Sequence, residues 1–146
     1  MKKSSMLKFL GYRVSSIKFS INNVDTNDTF QLSPSIKFEF GLKGTRCNLI
    51  TTVVLKQTED NRTPFDLEVS IVGQFNITSL AENSIPEISK AACSILYPYV
   101  RAVVSNITTT ANMPPYYLPL LNFNDMGNEN INESGQIKIR TLDTEV

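Results

Sequence analysis

The sequence predicts an α+β fold: a four-stranded antiparallel sheet followed by a long helix and an extended apolar crossover loop. Three observations carry this reading. Between residues 13 and 77, four runs of alternating or β-branched apolar residues are separated by polar turn formers, the signature of half-buried strands. From Ile85 the apolar spacing changes to three and four, which is one stripe of a helix. The next segment, "MPPYYLPLLNF", is apolar but broken by Pro114, Pro115 and Pro119, so it is neither a regular helix nor a central strand.

The elements follow in order. In "RVSSIKFSI", residues 13–21, Ile17, Phe19 and Ile21 face one way and Ser16, Lys18 and Ser20 the other. The loop "NNVDTNDT" ends that strand. In "SIKFEFGLK", Ile36, Phe38, Phe40 and Leu42 oppose Lys37, Glu39 and Lys43. "TRCNLITTVVLKQ", 45–57, is β-branched and apolar on both faces around Val53 and Val54, as suits a central strand. After "TEDNR" the clearest strand begins. Phe65, Leu67, Val69, Ile71, Phe75 and Ile77 share a face with Gly73 in step, which predicts a bulge or a close packing contact at the glycine. Joined by short polar loops, the four strands read as a meander with one apolar face.

The helical stripe runs through Ile88, Ala92, Ile95, Leu96, Tyr99, Val100, Val103, Val104 and Ile107. Ser84 and Glu87 have capping-box spacing, and Pro86 sits in the first turn, where proline is welcome. Pro98 lacks the N–H that would bond to the carbonyl four residues back. At a cost of about 3 kcal/mol, it predicts a kink or a break. A single domain over 1–125 and a polar, mobile C-terminal tail over 126–146 complete the reading.

Composition narrows the function classes. Fourteen Lys and Arg balance fourteen Asp and Glu, so no global charge recruits nucleic acid or a membrane surface. The start "MKKSSMLKFLGYR" has the basic end of a signal peptide. Lys8 and Gly11 interrupt its apolar part and no cleavage pattern follows, so a cytoplasmic protein is expected, with no membrane insertion. There is no histidine, which removes the usual general base and every His-ligated metal site. Cys47 and Cys93 have no CxxC spacing and read as buried thiols. Asp66 and Glu68 lie on a solvated strand face with no pocket indicated. Pro114–Tyr117 matches PPxY, yet it adjoins an apolar run rather than a disordered segment. The five Asn-x-Ser/Thr matches, at Asn27, Asn61, Asn76, Asn106 and Asn132, are explained by composition. No enzyme, metal or cofactor is expected. What stands out is more apolar surface than one helix can cover, pointing to an oligomer, a binding groove, or both.

Two motifs and the order of elements resemble the SecB family of protein-export chaperones. "SILYPYVRAVV", 94–104, is similar to that family's Asn-Ile-Leu-Phe-Pro-Tyr-Ala-Arg helix segment. Ile95, Leu96, Pro98, Tyr99 and Arg101 match it, with Tyr97 for Phe. "MPPYYLPLLNFND", 113–125, resembles Phe-Pro-x-Leu-x-Leu-x-Pro-Val-Asn-Phe-Asp at Pro114, Leu118, Asn122 and Phe123. The resemblance covers roughly 12–125 and implies an ATP-independent holdase, a homotetramer built as a dimer of dimers, that binds unfolded polypeptides or preproteins. By position it implies a client groove lined by Ile36, Phe38, Phe40, Met113, Tyr116 and Leu118. It places Ile95, Leu96, Pro98, Tyr99 and Val103 in the helix motif that serves assembly. It also implies a contact between Glu68 and the SecA ATPase. Ser16, Lys18 and Ser20 replace the family's acidic first-strand face, and "NDMGNENINESG" stands where the family has a flanking helix. Two alternatives stay open: a chaperone dedicated to the antitoxin of a toxin–antitoxin system, and a purely structural oligomeric module.

Overall fold

Alternation builds the sheet as expected, and the edges hold the surprises. The computed structural model describes residues 7–25, 27–78, 85–123 and 137–142. Strands β1 (Leu7–Ile21), β2 (Ser35–Lys43), β3 (Arg46–Leu55) and β4 (Phe65–Ile77) precede the helix α1 (Ile85–Thr110), and β5 (Ile137–Leu142) follows it. Strand order is β1-β4-β3-β2-β5. β2, β3 and β4 form the antiparallel meander, but β1 does not pair with β2. It crosses to the far edge and pairs antiparallel with β4 over almost its whole length. There it sets Phe9 against Phe75 and Phe19 against Leu67.

β5 corrects the expectation of a wholly mobile tail. Residues 137–142 add to the β2 edge in parallel, with Ile137 in register with Ile36 and Ile139 with Phe38. The sequence signal was there: "IKIRTL" opens on the same two-residue alternation as the other strands, within a region whose composition is otherwise polar.

α1 lies across the apolar face. Ile88, Ala92, Leu96, Val100 and Val104 are fully buried against Phe38, Leu49, Val53, Val69, Ile71 and Phe75 of the sheet. Each large side chain so buried contributes about 1.5–3 kcal/mol. Gly73 is a close contact rather than a bulge. A Cβ there would lie 3.0 Å from Leu96 Cδ1, so the missing side chain lets helix and sheet approach. The bulges fall instead in β1, at Phe9/Gly11 and Val14/Ser16, with Gly11 at a φ of 127°.

Helix α1 runs unbroken through Pro98, so the expected break does not occur. Pro98 and Ser94, whose carbonyl it leaves without a helical donor, both sit on the exposed face, where solvent can serve that carbonyl. At the other end Asn112 adopts a φ of 66°. Its N–H bonds to Thr109 O, and that of Met113 to Thr108 O, which together form a Schellman cap. The expected capping box at the start depends on Ser84, which lies outside the described residues. So do 126–136 and 143–146 of the tail and any helix after Phe123.

Candidate functional site

The crossover, residues 113–123, leaves the Schellman cap and returns along α1, held by side chains of the helix. Buried Thr108 is the first tie: its hydroxyl bonds to Ser105 O at 3.0 Å and accepts the N–H of Tyr116 at 2.9 Å. Arg101 Nε donates to Leu118 O at 3.0 Å, and the Tyr97 hydroxyl donates to Pro119 O at 2.6 Å. A proline-rich segment has few N–H groups for a ladder, so its carbonyls are bound by side chains instead. Ring contacts finish the attachment: Tyr116 lies on Phe65 at 6.0 Å, and Phe123 meets Phe38 at 5.4 Å and Tyr97 at 5.7 Å. Burial pushes the Tyr116 phenol up to about 12 and the Tyr97 phenol up as well, with Arg101 opposing the latter shift. Both rings are neutral wedges.

The crossover's side chains divide between core and solvent without a strict period. Leu118 is buried and Tyr116 half-buried, while Tyr117 is 62% exposed and Leu120 80%. Most residues expected to line a groove lie deep. Ile36, Phe38 and Phe40 are at most 1% exposed and Leu118 is 1% exposed, all within the core beneath α1 and the crossover. They build the wall beneath the crossover. Met113 and Tyr116 are half-buried and pack against the same core. The exposed pair that the sequence reading did not name is Tyr117 and Leu120; they lie three residues apart, so strict alternation from buried Leu118 does not find Leu120.

A second apolar surface lies on the other flank of α1. Tyr99 stacks on Tyr12 at 5.0 Å and on Phe9 at 5.3 Å. Farther along, Ile17 and Phe19 of β1 and Val103 and Ile107 of α1 line a groove of about 430 Å³. Tyr12, Ile17 and Ile21 remain 39%, 50% and 62% exposed because β1 is the sheet edge and α1 covers it only in part. Of the expected helix-motif residues, Tyr99 and Val103 face this surface, Leu96 is core, Ile95 packs at its margin and Pro98 points outward.

The outer sheet face is polar and of mixed sign. Glu68, the expected SecA contact, lies across from Lys18 and pairs with Lys56 at 3.7 Å. Ser16 and Ser20 lie across from Ser70 and Asp66. Asp66 is held below the usual carboxylate range by the Asn22 amide, then by the Gln57 N–H and by Lys56. It clasps the start of β4 to the end of β1. Burial pushes the Cys47 thiol up to about 11 and the Cys93 thiol up too, so neither is a ready nucleophile. Among the described residues no group of three or more potential ligands gathers for a metal, and no helix is long and apolar enough to cross a membrane.

The chain is similar to known proteins in sequence and in fold. Residues 14–134 match the family described as SecB, preprotein translocase subunit SecB. The chain is 31% identical over 122 residues to the uncharacterized protein MJ0357 of Methanocaldococcus jannaschii, covering 80% of this chain and 79% of that one. It is 27% identical over 132 residues to protein-export protein SecB 1 of Francisella tularensis subsp. novicida, covering 86% and 89%. Among solved structures, the fold is similar to that of the Mycobacterium tuberculosis Rv1957 SecB-like chaperone, bound there to a ChAD peptide from the Rv1956 HigA1 antitoxin. That likeness has a TM-score of 0.64 at 14% identity and covers 80% of this chain and 91% of the other.

Proposed function

The chain belongs to the SecB family, and on that premise we propose that it is an ATP-independent holdase of the cytoplasm that keeps unfolded polypeptides from aggregating. The observation that carries this reading is the exposed pair Tyr117 and Leu120 on a crossover tied to α1 at Tyr116, Leu118 and Pro119. Large apolar side chains on a held, extended segment suit many weak contacts with non-native chains. Reversible binding of that kind lowers the free unfolded population by mass action. The separate surface of Tyr12, Ile17, Tyr99 and Val103 suits assembly, and a homotetramer built as a dimer of dimers would cover it.

The mixed charge around Glu68 supports a setting without SecA. A chaperone reserved for one partner, such as an antitoxin, is then the second reading. Export through SecA needs an acidic face that Lys18 and Lys56 neutralise here.

The test dilutes a slow-folding reporter from denaturant with and without excess protein, following aggregation by light scattering and complex mass on elution. Suppressed aggregation and co-elution with a tetramer-sized species are expected. A clean assembly that ignores several unfolded reporters would remove general holdase activity. Titration with SecA then separates export from a dedicated role.

A further inference from the structure

The β2 edge combines three properties. Its side chains on the core face, Ile36, Phe38 and Phe40, are buried, so what β2 can offer a partner is its backbone. It lies on the side where the crossover ends, because Phe123 packs on Phe38. And it is covered by a strand added in parallel from the far end of the chain, only six residues long. Parallel pairing is slightly weaker per residue than antiparallel pairing. Thirteen mostly polar residues, "NDMGNENINESGQ", separate Phe123 from β5 in the sequence. "IKIRTL" is itself the kind of segment a non-native chain presents: short, able to extend, and apolar at alternate positions.

From these we infer that the β2 edge is a strand-addition site for extended client segments, with β5 as its built-in competitor. The inference rests on the holdase reading. A client docks its apolar side chains on the crossover pair and exchanges backbone hydrogen bonds with β2 in place of residues 137–142. Edge pairing reads backbone and tolerates many sequences. A displaceable cap also keeps a bare edge from pairing with other copies when no client is present.

The test compares the full chain with one ending at Gln136 and with Ile139→Pro, which disrupts the strand without shortening the chain. Truncation removes Lys138 and Arg140 together with Asp143 and Glu145, so net charge is unchanged. The probe is labelled, reduced and carboxymethylated lactalbumin, a permanently unfolded chain, followed by fluorescence anisotropy. If β5 covers the edge about nine-tenths of the time, both variants bind the probe about tenfold more tightly. Hydrogen exchange on the full chain should show 137–142 losing protection when probe binds, while 35–43 keeps it. Three results overturn the inference. In the first, all forms bind equally and 137–142 stays protected, so the holdase reading survives alone. In the second, no form binds, and both readings fall. In the third, both variants lose their folded circular dichroism, making β5 a fixed part of the sheet.

Discussion

Thr51 sits on the inner face of β3 between Phe38 and Ile71, and among the described residues its hydroxyl alone is buried without a hydrogen-bond partner. Such a group loses its water and gains nothing in return, a penalty of about 1–3 kcal/mol. Thr51→Val should therefore stabilise the fold by about 1 kcal/mol, read as a higher urea midpoint with unchanged slope. A neutral or destabilising result would mean that the hydroxyl is served. The crossover phenols set a pH limit. Their ordinary value is 10.0, and burial raises both, Tyr116 to about 12. A raised phenol contributes stability that is complete below about 10 and is lost as pH climbs through 12. An alkaline transition in ellipticity between those limits is expected, and it should weaken in the double variant Tyr97→Phe, Tyr116→Phe. An identical transition in that variant would assign it to other groups. Residue roles of this kind were only partly legible. Alternation told which face Phe38 belongs to, but nothing local told that α1 and the crossover would seal it.

The strands were legible where the period is strict, as in β4, whose thirteen residues alternate without a fault. Gly73 declared a close approach and leaves room for Leu96. Partnership was not legible, because pairing β1 with β4 depends on contacts between residues more than forty apart in sequence. β5 was hidden by the composition around it. Pro98 misled by its rule, since the rule counts a lost bond and the exposed face makes that loss cheap. At this scale the crossover is the element to test. Arg101→Ala removes the hydrogen bond to Leu118 O and should cost about 1–2 kcal/mol. Amide exchange should accelerate across 116–121 more than in β4, and client affinity should fall although no outward side chain has changed. Uniform acceleration throughout the chain would show only a global loss.

For the whole molecule, the two apolar surfaces predict two separable defects. Tyr117→Ser with Leu120→Ser should weaken client binding about tenfold, the loss of two partly exposed apolar contacts, and leave the assembled mass intact. Tyr12→Ser with Ile17→Lys should lower the mass measured by light scattering while Tyr117 and Leu120 stay in place. A crossed result, with the crossover pair dissociating the assembly, would reverse the assignment of the surfaces. The sequence carried the family through two motifs, and of the groove residues it implied, Ile36, Phe38, Phe40 and Leu118 lie on the buried side.

The ties on the crossover have one more consequence, in entropy. With its carbonyls already bound by Tyr97 and Arg101 and one N–H by Thr108, the segment gave up its freedom when the chain folded. On the holdase reading proposed above, a client arriving at Tyr117 and Leu120 would have only its own disorder to lose, about 1–2 kcal/mol for each backbone residue it fixes. Affinity is then governed by how little of the client must be ordered. Partners held at a few scattered points, and left loose between them, are the ones this surface favours.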